Sequence, residues 1–363
     1  DSESDNFLSR NGLSLSQGKL FALVINNANN PIDFSGTGSE RSGSFQELDY
    51  YRSDLAGVQG YDSLGFASQE LQYQLAEQLG AFTFSRPEDL SKNPNSSTEF
   101  VFASTGLYYS YNCDDILFYY GIDCTTLESD YGWDCTGCEC SEDDSSAEEC
   151  INAGGADKWG TTYLISLNFI DIENNDIQAY INIIYDGDDA GNNQFNNSDF
   201  GLRSPDNLDW SNNGMIYIQE DAAYSLFGNI SGIEASVWEL NPENGILNRI
   251  GIIDRNAIPS NQYDDGPDDF GEWESSGILD VSNEFSFTNM TLLVLDVMAH
   301  SLDGGPINQY NLEEGGQLLF LKKQNYLLGD LNLDGIINIL DVVLIVNMVL
   351  ANEYSLIADI NED

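Results

Sequence analysis

Basic residues are scarce. The 363 residues contain 12 Lys and Arg against 61 Asp and Glu, a formal net charge of −49. Neutralising a phosphate backbone needs a basic face, and a dozen scattered cations do not make one, so nucleic acid is excluded as a partner, and an anionic membrane surface with it. Histidine is nearly absent: His300 alone argues against a Ser-His-Asp triad, and its place in the sequence predicts a residue satisfying a buried strand end. No apolar run is long enough for a membrane span. The longest candidate, 336–351, is broken by Asn338, Asp341 and Asn347 and falls short of roughly 20 residues. The first residues, Asp1-Ser2-Glu3-Ser4-Asp5, lack an initiator Met, a basic stretch and an apolar signal core, and read as a mature or trimmed chain.

What is present points to a folded, turn-rich protein. An apolar fraction of 41% with 12% aromatics excludes a disordered acidic tail, and 33 Gly with 37 Asn favour turns over long helices. Such an acidic surface repels itself unless salt or divalent cations lie between the carboxylates, which makes Ca²⁺ the first cofactor to consider. The alternative is that the acids only keep a salt-adapted or secreted protein soluble. All six cysteines, Cys113, Cys124, Cys135, Cys138, Cys140 and Cys150, fall in one Gly, Asp and Ser-rich window. That clustering predicts a disulfide-stapled insert from an oxidising compartment, with fifteen pairings open. Cys135-x-x-Cys138-x-Cys140 also has the spacing of part of a zinc site, although no histidine lies nearby.

Short β-type runs recur between turn signals, at 20–25, 100–103, 163–169, 177–185, 215–219, 237–240 and 292–296, and Leu71, Leu75 and Leu79 mark a helix over 67–79. Two segments repeat. Arg86-Pro87-Glu88-Asp89-Leu90 precedes a strand ending in Ala103-Ser104-Thr105, and Ser204-Pro205-Asp206-Asn207-Leu208 precedes one ending in Gln219-Glu220-Asp221. A looser third copy is Trp273-Glu274-Ser275-Ser276-Gly277-Ile278 before 291–296. Glu88 to Asp206 spans 118 positions and Asp206 to Glu274 spans 68, an excess of 50 that matches the cysteine-rich stretch 107–157. An insertion into a repeating all-β architecture, a partial or complete β-propeller, accounts for the spacing, with a hairpin turn at Asn244-Gly245; a β-sandwich is the competing fold.

Near the C-terminus Asp330, Asn332, Asp334, Asn338 and Asp341 occupy positions 1, 3, 5, 9 and 12 of a calcium loop, with Gly335 at the bend and the Ile336 carbonyl at position 7. An ordinary acidic turn before a helix is the alternative. Asp at position 12 and the apolar run that follows resemble the dockerin type of calcium repeat. A second loop starts at Asp359-Ile360-Asn361-Glu362-Asp363, so the expected domains are a β region over 1–326 and a helical calcium module over 327–363, cut within its second loop. Leu340, Val343, Leu344, Met348 and Leu350 are expected to form an apolar helix face seeking a partner.

The Pro-acid segments, Tyr217-Ile218-Gln219-Glu220-Asp221, and Glu272-Trp273-Glu274-Ser275-Ser276-Gly277 leading to Leu295-Asp296-Val297-Met298-Ala299-His300-Ser301 are similar to the PhoX-type alkaline phosphatases and their secreted relatives. The resemblance covers roughly 13–321, the cysteine insert excepted. It implies a β-propeller whose phosphate-ester chemistry depends on Ca²⁺ and iron held by channel carboxylates, with Glu88, Asp206 and Glu274 as ligands and Asn207 and Glu220 beside them. The family is larger, and the further ligands and activating residue of its amino-terminal portion have no match before Glu88. The expected function is a secreted, calcium-binding propeller resembling a metal-dependent phosphoesterase, acting outside the cell or at its surface. The alternative is a structural subunit of an extracellular filament, sheath or surface layer. In that reading the channel acids cap strands or bind one stabilising calcium, and the dockerin-like end links copies.

Overall fold

The computed structural model describes residues 19–106, 157–171, 174–189, 201–221, 227, 232–286, 290–312, 314–324, 329–332, 336–353, 355 and 357–358. The chain forms two compact units, 1–206 with 221–231, and 207–220 with 232–363. Both are built mainly of strands.

In the first unit β1 (Leu20–Ile25), β2 (Glu40–Leu48), β3 (Pro87–Lys92), β4 (Glu99–Ser104), β5 (Thr161–Asp171) and β6 (Asp176–Asp186) form one sheet in the order β1-β2-β6-β5-β4-β3. Strands β3 to β6 are thus consecutive neighbours, and the β1–β2 hairpin is added alongside β6. One face carries Ile25, Phe34, Tyr163, Ile165, Ala179, Ile181 and Ile183, all buried, with Phe84 and Phe102 packed against them. Helix α1 (Gln69–Gln78) forms where the leucine spacing predicts it, capped by Ser68, whose hydroxyl accepts the Leu71 N–H at 3.3 Å.

The second unit repeats the meander. Strands β7 (Pro205–Trp210, opening in the last residues of the first unit), β8 (Ile216–Glu220), β9 (Ser236–Leu240) and β10 (Leu247–Ile252) are again neighbours in chain order, and Gly245, at φ 72°, makes the expected β9–β10 turn. Then β12 (Trp273–Asp280), β13 (Met290–Ala299) and β15 (Gly315–Gln324) form a three-stranded sheet. Strands β11 (Gln262–Asp264) and β14 (Leu302–Gly304) make a two-stranded ribbon, followed by the short helix α2 (Gly305–Tyr310) and by helix α3 (Ile339–Ala351). Tyr217, Val237, Ile278, Leu293 and Leu295 form this unit's main apolar cluster.

The sequence repeat is structural. Its three copies open β3, β7 and β12, so the Pro-acid segments are themselves strands and not lead-ins to them. Proline is tolerated there because it is the first strand residue, where no ladder N–H is needed. Arg86 and Ser204 precede the prolines at φ 49° and 46°, and their carbonyls accept the N–H groups of Thr105 and Asp221 at 3.0 and 3.1 Å. Both β3 and β12 carry a one-residue bulge against their neighbours, between Pro87 and Leu90 and between Ser276 and Leu279. The described sheets have six, four, two and three strands, so equal four-stranded blades are not what the described residues show.

The cysteine window 107–156, with Cys113, Cys124, Cys135, Cys138, Cys140 and Cys150, lies outside the described residues. Its two ends do not. Ser104 on β4 is in register with Thr161 on β5, and Gly106 packs so closely on the returning chain that a Cβ there would come within 2.6 Å of the Gly160 nitrogen. The window is therefore an excursion from an already closed β4–β5 hairpin. Replacing 107–156 with a short Gly linker should leave the β circular dichroism and the melting cooperativity intact, and a deletion protein that precipitates or loses its β spectrum would contradict this.

In the second unit a buried cation ties together several loops. Arg255 donates to both oxygens of Asp264 (2.6 and 3.1 Å), to Glu234 (3.2 Å), to the Ser301 hydroxyl (2.9 Å), and to the carbonyls of Gly266 and Asp269. The Arg255 hydrogen bond holds the Asp264 carboxyl down at about 2. A depressed carboxylate adds stability above its unfolded pKa of about 4, and that stability is lost as pH falls from there through 2. Asp264→Asn leaves a buried guanidinium partly unpaired and should cost roughly 3 kcal/mol at neutral pH. Urea melts should show the deficit at pH 7 and a much smaller one near pH 2.

Candidate functional site

The first unit brings two of the expected ligands together and adds two residues to them. Glu88 and Asp206, the acids after the two strand-opening prolines, share a site with Asp221 and Arg86. Arg86 Nη2 lies 3.2 Å from Asp221 Oδ2 and 3.6 Å from Glu88 Oε1, and the Thr105 hydroxyl donates to Asp206 Oδ1 at 3.3 Å. The exchange is crosswise. The residue ending the first repeat, Thr105, serves the acid of the second, while the residue opening the first, Arg86, holds the acid that ends the second. Burial, then the charges of Asp221 and Glu88, push Asp206 up to about 6, against the Thr105 hydrogen bond and the Arg86 charge.

Asn207, Glu220 and Glu274 belong to the second unit. The Asn207 carbonyl oxygen accepts from the Ser276 hydroxyl at 2.6 Å and the Gly277 N–H at 2.8 Å, so its lone pairs serve the β12 bulge. Glu220 is fully buried and accepts the Ser236 N–H at 2.9 Å. Glu274 faces His300, Oε1 to Nε2 3.3 Å, and Glu314 faces the other ring nitrogen at 2.9 Å. His300 follows the end of β13 as expected but is half-buried: it sits in a row of side chains at the ends of β12, β13 and β15.

The terminal loop is described in part, with Asp334 outside the described residues along with the second loop at 359–363. Asp330 and Asp341 are buried. Asp341 accepts the N–H groups of Leu331 (2.8 Å), Asn332 (3.3 Å) and Asn338 (2.8 Å), the last completing a capping box at the start of α3. These bonds, that of Asn338 foremost, hold Asp341 below the usual carboxylate range. Of the expected apolar face of α3, Leu340, Val343, Leu344 and Leu350 are exposed, and the exposure extends beyond it. Val342, Val346 and Val349 are exposed as well, because apart from Asp341 and Asn347 the run 339–351 is apolar.

Among the described residues no three or more His, Cys, Asp or Glu side chains are arranged as a ready-made metal site, and no helix is long and apolar enough to cross a membrane. The Glu88, Asp206 and Asp221 set is all hard oxygen, which suits calcium, and gives iron neither imidazole nor thiolate. Sequence reading named Glu220 and not its neighbour Asp221, and gave Arg86 no role beyond opening the first repeat copy. Aligning Asp221 with Thr105 at the ends of the two copies was the signal available.

These features define an acidic protein of repeated β-meanders with a carboxylate-guanidinium site where two repeats exchange partners. No protein-family model matches the chain, and no curated protein matches its sequence. Among solved structures, Pseudomonas fluorescens PhoX in complex with vanadate, a transition state analogue, is similar with a TM-score of 0.46 and 13% identity over 86% of this chain. The chain covers 45% of that structure.

Asp206 supplies a direct check of the site. A raised carboxyl pKa means stability that is complete below the unfolded value of about 4 and is lost as pH rises through about 6. In chelator, Asp206→Asn should therefore melt about 2–4 °C above the parent chain at pH 8 and match it near pH 4. Equal melting temperatures at both pH values would mean that Asp206 is not crowded.

Proposed function

We propose that the chain is a calcium-binding, phosphoesterase-like β protein with its meanders arranged as blades of a propeller over 1–326, a calcium module at 327–363, and a place outside the cell or at its surface. The observation that carries this reading is the convergence of Glu88, Asp206 and Asp221 on Arg86. It is what phosphoester recognition needs: oxygen ligands for cations and a guanidinium able to hold a phosphate oxygen pair. Arg86 is half-exposed, so it is accessible to an anion arriving from solvent.

Glu88, Asp206 and Asp221 would hold calcium, which when bound would polarise the phosphoryl oxygens. Arg86 would release Asp221 to the ion and turn its donors to the phosphate, and Thr105 would keep Asp206 oriented by its hydroxyl. The crowding that raises Asp206 supports the reading, since a bound cation would relieve it. Asn207, Glu220 and Glu274 are assigned supporting roles: they position β12, β9 and His300.

One observation favours assembly as a second reading. Helix α3 leaves Leu340, Val343 and Leu350 half or more exposed, and Asp341 is its one charged residue, which makes it the surface on which a chain of charge −49 meets least repulsion from a second copy.

Hydrolysis of p-nitrophenyl phosphate by the full chain with calcium supplied tests the main reading. Activity above a calcium-only control is expected, and Glu88→Gln should abolish it while shifting the melting temperature little, since size and hydrogen bonding are kept. No hydrolysis by the parent chain at any calcium concentration would leave the assembly reading in its place.

A further inference from the structure

The first unit contains a second acid cluster, formed where the chain re-enters the sheet at residue 157. Asp157 and Asp186 are each 4% exposed, and Asp188 is half-buried. The turn Asp186-Gly187-Asp188 is pinned to the returning segment: Gly187 N–H donates to the Gly160 carbonyl at 2.9 Å, and a Cβ on Gly187 would meet the Trp159 carbonyl at 2.6 Å. Asp157 accepts from the hydroxyls of Thr161 (2.7 Å) and Ser104 (3.4 Å). Asp186 accepts from Gly36 N–H (2.6 Å) and Asp188 N–H (2.8 Å), and Asp188 from Lys158 N–H (2.6 Å).

Two further hydroxyls at this place are buried without a hydrogen bond of regular geometry. Tyr163 Oη belongs to a wholly buried side chain, and Ser85 Oγ to a residue 2% exposed. Ser85 lies close enough to Asp157 for its hydroxyl to favour the carboxylate, and Tyr163 lies beside the Thr161 hydroxyl and feels the charges of Asp157 and Asp186. The tyrosine ring is held against Phe34, Phe84 and Phe102 at centroid distances of 6.2, 5.3 and 6.2 Å, which fixes its orientation. Burial, with mutual repulsion adding to it, pushes Asp157 up to about 7 and Asp188 to about 6, and burial raises Asp186 as well; the Lys158 charge opposes this at Asp188.

A single proton neutralises one carboxylate of three and leaves the other two crowded. A water satisfies hydroxyls but leaves the charges crowded. A hard divalent cation meets both needs, because it takes carboxylate, hydroxyl and main-chain carbonyl oxygens together. No three acids already converge as ligands, so the shell has to draw on the hydroxyls and carbonyls too.

We propose that Asp157, Asp186 and Asp188, with the hydroxyls of Tyr163 and Ser85, form a calcium site that fastens the chain's re-entry at residue 157 to the turn after β6. It is independent of the Glu88 and Asp206 site and of the terminal loop. The test uses the full chain, stripped with chelator and titrated with CaCl₂ at pH 7.5 in enough NaCl to suppress diffuse binding. Calorimetry gives the ion stoichiometry, and melting temperature gives the stabilisation.

Asp157→Asn is expected to remove one bound ion, or to weaken it by at least about tenfold, and to remove part of the calcium-induced rise in melting temperature. Asp330→Ala is the control: it should leave this ion in place. Without calcium, Asp157→Asn should be as stable as the parent chain or more so at pH 8, which shows that the variant folds; Asp188→Asn provides a second route if it does not. A variant that binds the full number of ions with parental affinity overturns the proposal. So does one that is more stable without calcium yet gains as much from it, since the cluster is then a proton site only.

Discussion

With 61 carboxylates and 12 cationic side chains, folding must crowd like charges, and where the few cations go decides much of the structure. Arg255 is buried among Asp264, Glu234 and three loop acceptors, and Arg203, 1% exposed, lies over the Phe227 ring at 3.7 Å and donates to that residue's carbonyl at 2.6 Å. Lys323 on β15 pairs with buried Glu239 on β9, which joins two sheets of the second unit. Removing Asp264 or Lys323 is costly, because Arg255 or Glu239 then stays buried and charged. The exposed pairs, Lys19 with Glu47 and Arg52 with Asp54, add little by comparison.

Where the neighbouring cation is half-exposed, as Arg86 is, the acids remain crowded. Among the described residues, Asp206 and the Asp157, Asp186 and Asp188 cluster are the two places where burial and mutual repulsion raise carboxyl pKa values, and both lie at strand ends in the first unit. Ser104 and Thr105, adjacent at the end of β4, face one cluster each. A cation bound at either would therefore act on the same strand end, and the chain's response to calcium should be larger than a single surface loop provides.

The repeat explains how a site arises from a short motif. A residue at positive φ turns the chain, proline opens a strand without needing a ladder bond, and the acid that follows sits at the strand's mouth. One copy puts a single carboxylate at a sheet end. Two copies whose ends exchange partners put Glu88, Asp206 and Asp221 around one guanidinium, which neither copy contains alone.

Local pattern was enough to reveal the all-β class, the seven strongest strands, helix α1 and the Asn244-Gly245 turn, because each is written in neighbours one to four positions apart, and the repeat showed as the same short pattern recurring along the chain. The strands missed, among them β2, β7, β10 and β15, are rich in Gly, Ser, Asn or charge, or apolar without alternation, and they become strands through the partners they pair with. The crosswise pairing of Arg86 with Asp221, 135 residues apart, and the meeting of Asp157 with Asp186 are set by sheet order and by two glycine contacts. Sequence alone established that acids would have to be gathered and compensated. Which acids meet was decided by the tertiary structure, because charge repulsion acts through space between strand ends that the chain's order does not bring together.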